Sequence, residues 1–273
     1  MPVFPLRCWT PQAHSFLEHT IQSRTGLAAF DFDNTLVKND FGETVMNELI
    51  TDGLQGIRQK DIFLDKFRDR SGAERIWEQR NFTELQDYIW GQYQEIMAAQ
   101  GLEAAYRWSS FLFSGWDEAG LKQFSRTVWD QQLASAAPDS VKPYQEFRDL
   151  IALMQQNSWQ IKIVTASPQW IIEEVAPEFG LKATDVIGMH LAVADGVTLA
   201  EIIEPFTYGQ GKVAALQQAT GTLADLCFGD SINDLPLLQS AKKKGVLLDR
   251  GNEILKKQCE DFGCLIQPVF HEA

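Results

Sequence analysis

The chain carries carboxylates in two tight groups: Asp31 and Asp33 in Phe30-Asp31-Phe32-Asp33-Asn34-Thr35, and Asp230 with Asp234 in Gly229-Asp230-Ser231-Ile232-Asn233-Asp234. Carboxylates held this close raise one another's pKa, and a hard divalent cation bound through oxygen is the usual relief. Taken singly, an Asp-x-Asp reads equally well as a turn, and Ser231 with Asp234 as a helix capping box. Two other segments supply what an anion would need. In Thr165-Ala166-Ser167-Pro168, which precedes a helical pattern, Ser167 is expected to be the N-cap and Pro168 the first helical residue, so that the Thr165 hydroxyl and free backbone N–H groups near Ala166 can hold a phosphate. Lys212 follows Tyr208-Gly209-Gln210-Gly211, but Phe206 and Val213 stand where a Walker loop requires Gly and Ser or Thr. A lysine at a helix start opposes the helix dipole, so its placement calls for a neighbouring anion.

The elements that position these residues alternate in type. Strand-sized apolar runs occur at Gly26 to Phe30, Ile161 to Val164, Val186 to Met189, Leu226 to Phe228 and Val246 to Leu248. Between them, Tyr144 to Gln156, Trp170 to Phe179, Lys212 to Ala219 and Asp234 to Lys244 space their apolar residues at helical intervals. Alternation of this kind argues for a parallel sheet in an α/β domain, and ligands bind such sheets at the carboxyl ends of the strands. The Asp31 pair, Thr165 and Asp230 all follow strand ends. More than a hundred residues separate the first two runs, with almost no strand signal and with Trp77, Trp90, Trp108, Trp116 and Trp129 among them, too long for a loop. This stretch is expected to be a helical domain inserted at residues 37–137, ending at a linker around Ala136 to Ser140, with 1–36 and 138–273 forming the α/β domain.

Composition narrows the partners. With 37 Asp and Glu against 24 Lys and Arg, the formal charge is −13, a sign that repels nucleic acid and anionic membrane surfaces. No apolar run approaches the ~18 residues of a membrane span. The four cysteines form no disulfide framework and no metal-spaced pair, and Pro2, Pro5 and Arg7 interrupt any signal-peptide core, so a reduced, cytoplasmic protein is expected. Oligomeric state is not readable.

The four motifs, in this order, resemble those of the haloacid dehalogenase superfamily of Mg²⁺-dependent phosphohydrolases: DFDNT, the strand-terminal Thr165, Lys212, and GDSIND. The lysine lies 18 residues before Asp230, a spacing similar to that of the phosphoserine-phosphatase-like branch. The resemblance implies a Rossmann-like three-layer α/β sandwich with a parallel sheet and an inserted α-helical cap acting as a lid. It implies Asp31 as nucleophile, forming an aspartyl-phosphate, and Asp33 as general acid and base. Thr165 and Lys212 would bind the phosphoryl oxygens, with Ala166 and Ser167 beside them. The metal ligands implied are Asp31, the Asp33 main-chain carbonyl and Asp230, with Asp234 orienting a metal water or Lys212. Dehalogenases of the same superfamily need neither a metal nor a carboxylate at the Asp33 position. A non-catalytic phospho-ligand binder is the alternative from another class, and fold alone does not exclude it.

The expected substrate is a small phosphomonoester, with phosphocholine, phosphoethanolamine and phosphoserine as the amine-bearing candidates. DFDNT, TASPQW and TYGQGK together look closer to phosphocholine-phosphatase-like hydrolases, and Ala166-Ser167 departs from the glycines usual in phosphoserine phosphatases. Asp40 falls where the branch has a carboxylate that contacts the substrate amine, with Glu43 on the same helical face, although Asp40 also reads as the cap of a helix starting near Phe41. The tryptophans offer a cation–π cage whose members the sequence leaves open.

Overall fold

The computed structural model describes residues 8–51 and 56–270. The chain runs through α1 (Pro11–Ser23), β1 (Leu27–Phe30), β2 (Val37–Lys38), α2 (Phe41–Thr51), α3 (Lys60–Leu64), α4 (Arg70–Glu78), α5 (Phe82–Gln100), α6 (Leu102–Ser110), α7 (Glu118–Ala134) and β3 (Lys142–Pro143). It continues through α8 (Gln145–Gln156), β4 (Gln160–Pro168), α9 (Gln169–Glu173), β5 (Val186–Ala194), β6 (Val197–Ile203), α10 (Gln210–Thr220), β7 (Leu226–Gly229), α11 (Leu235–Ser240), β8 (Lys244–Asp249), α12 (Glu253–Asp261) and β9 (Leu265–Pro268).

Seven strands form one sheet in the order β6-β5-β4-β1-β7-β8-β9, parallel except for the β5–β6 hairpin. All four residues of β1 are buried, and they divide by parity. Ala28 and Phe30 join a large apolar cluster with Leu17, Ile21, Phe147 and Leu150 on one face. Leu27 and Ala29 join a second cluster with Leu216, Leu237, Leu238 and Leu255 on the other. A strand covered on both faces has no solvent side, which is why it reads as a continuous apolar run rather than an alternation. β1 also lies between β4 and β7, where the order of connection reverses, so the crevice outside its carboxyl end is the topological switch point.

The segment between β2 and β3 is helical, and it docks on an element the periodicity did not reveal. Gly115 N–H donates to the Thr198 carbonyl (2.7 Å), and the buried Thr198 hydroxyl donates to the Phe113 carbonyl (2.6 Å), so β6 carries the insertion. Strands β6 and β9 and helices α1 and α12 add to the expected elements. Two expected helices are shorter than their patterns: α9 gives way to a 3-10 turn at Ala176–Phe179, and α11 ends at Ser240, leaving Lys244 to open β8.

The expectation for Ser167 and Pro168 is corrected. β4 extends through both, α9 begins at Gln169, and Ser167 makes no capping bond. Its hydroxyl donates to the Asp33 carboxylate (2.6 Å), a charge-assisted bond. The Ser231/Asp234 capping box is present. Among the described residues, no helix is long and apolar enough to cross a membrane. The cysteines Cys8, Cys227, Cys259 and Cys264 are unbridged. The Pro2, Pro5 and Arg7 reading lies outside the described residues.

Candidate active site

Asp31 leaves β1 with its backbone still in the ladder, its N–H donating to the Phe228 carbonyl (2.9 Å). That bond fixes the carboxylate at the rim between β1 and β7, where it is 5% exposed. The chain then turns tightly: Leu36 N–H returns to the Phe32 carbonyl (2.8 Å), and Asn34 adopts a left-handed φ of 58°, a conformation asparagine tolerates better than most residues. The turn brings the Thr35 hydroxyl to Asp31 Oδ2 (3.1 Å) and Asp230 Oδ1 (3.2 Å). It thereby ties the two acidic segments together across almost two hundred residues of sequence.

Lys212 lies wholly buried near the start of α10. Its Nζ donates to Asp31 Oδ1 (2.6 Å) and Asp234 Oδ1 (2.5 Å), the anion its placement called for. Asp234 Oδ2 accepts from Asp230 N–H (3.2 Å), Ser231 N–H (3.0 Å) and the Ser231 hydroxyl (2.7 Å). A Cβ at Gly229 would stand 2.4 Å from Asp234 Cβ, so only glycine lets the segment fold back over the strand end. Burial and the Asp234 charge push Asp31 up to about 7 against the pull of Lys212. Asp230 is raised well above its ordinary value by burial, Asp234 and Asp31. Burial alone would lower Lys212, yet Asp234 and Asp31 hold it above the ordinary lysine range.

Ligand atoms of Asp31, Asp230 and Asp234 lie within 4.8 Å of one another. The donors are all carboxylate oxygens, they are buried, and two are pushed toward protonation by burial and then by mutual repulsion, so the group fits a hard divalent cation. Both Asp234 oxygens are already committed, so this residue holds Lys212 and the Asp230 loop in place. The Asp33 carboxylate points away from the group. Its Oδ1 accepts from Phe41 N–H (2.6 Å) and Gly42 N–H (3.4 Å), and its Oδ2 from the Ser167 hydroxyl (2.6 Å). It is pushed up to about 7 by burial and by Asp40, against those three donors. Asp33 therefore links β4 to the first turn of α2, the helix that starts the insertion. A Cβ at Gly42 would fall 2.3 Å from the Ser167 hydroxyl, so glycine there keeps the bond open.

Thr165, 1% exposed, accepts Ser167 N–H on its hydroxyl (3.1 Å) and lines the same cleft as Asp31, Asp33, Ala166, Ser167 and Asp230. That cleft opens into a second cavity lined by Asp40, Glu43, Trp90, Tyr93, Tyr106 and Trp108, with Asp40, Tyr106, Ala166 and Ser167 on both walls. Tyr93 and Tyr106 approach to 6.4 Å between ring centroids, Trp90 and Tyr93 to 5.5 Å, and the Trp108 indole N–H is anchored on the Lys66 carbonyl (2.8 Å). Asp40 accepts Glu43 N–H (2.7 Å), as a capping residue does, and still faces the cavity. Capping the helix and lining the cavity are therefore compatible for Asp40.

The residues 28–239 match the family model of the haloacid dehalogenase-like hydrolases, more than half of the chain. The protein belongs to that family. A solved structure of a conserved protein of unknown function from Anaerococcus prevotii superposes with a TM-score of 0.74 at 16% identity, over 97% of this chain and 94% of that one. A hydrolase of the same family from Salmonella enterica serovar Typhi gives 0.57 at 14% identity, over 93% and 77%. A substrate-bound phosphoserine phosphatase gives 0.53 at 13% identity, over 89% and 93%. At such identities the likeness is one of fold: a mostly parallel sheet between helical layers, as this hydrolase shows. No curated protein sequence matches the chain.

The haloacid dehalogenase fold brings Asp31, Asp33, Thr165, Ala166, Ser167, Lys212, Asp230 and Asp234 to one rim, and sets Asp40 and Glu43 in the adjoining cavity. Two participants had no role in the sequence reading. Thr35 was visible only as the last letter of its motif. Arg250, whose Nη1 donates to Asp230 Oδ2 (3.0 Å), stands two residues after the run Val246 to Leu248, and its place after a strand end was the available signal.

Proposed function

We propose that the protein is a Mg²⁺-dependent phosphomonoesterase that cleaves a small amine-bearing substrate such as phosphocholine or phosphoethanolamine through an aspartyl-phosphate on Asp31. The observation that carries the reading is the continuity of the two cavities. A buried carboxylate and lysine at the switch point share the walls Asp40, Tyr106 and Ser167 with an aromatic and acidic chamber. One chamber suits a phosphoryl group and the other a cation.

In the first half-reaction an Asp31 oxygen bonds to phosphorus as the bond from phosphorus to the ester oxygen breaks. The Asp33 carboxyl, pushed up to about 7 and so substantially protonated near neutrality, gives its proton to the departing alkoxide. In the second, the Asp33 carboxylate takes a proton from a water attacking the same phosphorus, and Asp31 is released. Lys212 Nζ and the Thr165 hydroxyl would hold phosphoryl oxygens, the electrostatic help on which phosphoryl transfer mostly depends. Mg²⁺, held by Asp31, Asp230 and the Asp33 main-chain carbonyl, would supply charge that lets a dianion approach a carboxylate. The bonds from Phe41 and Gly42 to Asp33 tie the acid to the insertion, which would exclude bulk water from the cleft as a cap.

For the leaving group, an ammonium would lie against the faces of Trp90, Tyr93 and Tyr106 and near the carboxylates of Asp40 and Glu43. An added carboxylate, as in phosphoserine, would meet those same acids. A panel of phosphocholine, phosphoethanolamine, phosphoserine and an aryl phosphate, each with Mg²⁺ and with chelator, tests the reading. Hydrolysis led by the two amines and lost in chelator supports it, whereas preference for phosphoserine or undiminished turnover in chelator contradicts it.

Asp40→Asn should weaken kcat/KM for phosphocholine more than for the aryl phosphate. A hydrogen-bonded or contacting charge contributes about 1.5–3 kcal/mol, roughly tenfold to a hundredfold in that ratio. pH gives the same readout without mutation. Burial pushes Asp40 up to about 6, opposed by the Glu43 N–H. Above that value it is ionised and attracts the cation; below it the carboxyl is neutral, so the preference for the amine substrate should decline as pH falls through about 6. A ratio independent of both pH and Asp40 would leave Asp40 as a helix cap alone.

A further inference from the structure

The buried acidic group holds more carboxylates than cations. Asp31, Asp230 and Asp234 face one buried cation, Lys212, and nearly every carboxylate oxygen already has a partner: Lys212 on Asp31 Oδ1 and Asp234 Oδ1, the Ser231 loop on Asp234 Oδ2, and the Thr35 hydroxyl shared between Asp31 Oδ2 and Asp230 Oδ1. Asp230 Oδ2 is held by Arg250 (3.0 Å). Arg250 differs from every other partner in the group. Its side chain is 48% exposed, against 4% for Asp230 and 1% for Lys212, and it comes from the end of β8, outside all the family motifs. It also lines the cleft beside Asp33 and Thr165.

We propose that Arg250 is a placeholder cation that occupies Asp230 Oδ2 while no divalent ion is bound and is exchanged for that ion on binding. This rests on the reading of Asp31 and Asp230 as Mg²⁺ ligands. A guanidinium stays charged at all working pH values, so it compensates Asp230 without waiting for protonation. Half in solvent, it leaves the pair without opening the fold, which Lys212 cannot do. Once a divalent ion joins Asp230, a guanidinium on the same carboxylate is repelled and becomes free in the cleft. The exchange weakens the affinity for Mg²⁺ by the work of displacing the guanidinium.

Calorimetric titration of MgCl₂ into chelator-stripped wild type, Arg250→Gln and Arg250→Lys tests the exchange without any substrate. Removing a unit charge a few ångströms from a bound divalent ion should tighten Mg²⁺ binding by Arg250→Gln roughly threefold to tenfold. Arg250→Lys, which keeps the charge, should fall between the two. The metal-free Arg250→Gln protein should also melt below metal-free wild type, with the gap narrowing at saturating Mg²⁺. Equal or weaker Mg²⁺ binding by Arg250→Gln overturns the exchange. Absence of Mg²⁺ binding in all three proteins overturns the metal site itself, a distinguishable failure.

Discussion

Asp31→Asn should abolish turnover of every phosphomonoester while leaving the protein folded. The amide is nearly isosteric with the carboxylate but no longer a nucleophile, and loss of a covalent nucleophile costs on the order of 10⁴- to 10⁶-fold. Stability should move the other way from activity. Asp31 is pushed up to about 7 by burial and by Asp234, so a neutral side chain at this position removes a repulsion and forfeits one of the two Lys212 bonds. Melting at or slightly above the wild-type temperature, with turnover at background, is the expected pair of results from thermal denaturation and steady-state assay. Turnover near wild type would place the nucleophile elsewhere.

Lys212→Met should damage both properties. Lys212 is fully buried and bridges Asp31 and Asp234 at 2.6 and 2.5 Å, so truncating it strands two carboxylates with no basic partner inside the protein. Breaking a buried pair from one side costs about 3–5 kcal/mol, a large fraction of the ~5–15 kcal/mol by which such proteins are stable. Urea denaturation should show that loss in metal-free protein. Mg²⁺ should restore part of it, because a divalent ion replaces some of the missing positive charge. Activity should not return with it, since Lys212 also serves the phosphoryl oxygens. Stability unchanged on Lys212→Met would contradict Lys212 as the cation that balances this buried group.

Much of this site was legible because its residues sit where strands end, and buried parallel strands announce themselves as short apolar runs. β4, β5, β7 and β8 contain their expected runs, β1 covers all of its own but Gly26, and Asp31, Thr165 and Asp230 follow from them directly. β6 was not legible. At the edge of the sheet only Val197 and Thr198 of it are buried and its partner is antiparallel, so Val197 to Ile203 offers no continuous apolar run, although it is the strand on which the insertion docks. Ser167 was misread for a local reason: Ser-Pro before an apolar repeat is a good helix start, and only the three-dimensional approach of Asp33 shows where the hydroxyl goes. The aromatic chamber was equally out of reach. Trp116 and Trp129 are core residues and Trp90 and Trp108 wall the cavity, a division that depends on how helices pack rather than on spacing.

The covalent intermediate is the point at which this reading is most exposed. Protein mixed with phosphocholine and Mg²⁺, quenched during turnover and reduced with borohydride, should yield a peptide containing residue 31 in which the Asp31 side chain has been converted to an alcohol, because only an acyl phosphate is reduced under those conditions. Asp31→Asn treated identically should show no such conversion. Robust hydrolysis with an unmodified Asp31 peptide, or conversion at Asp33 or Asp230 instead, would contradict Asp31 as the nucleophile.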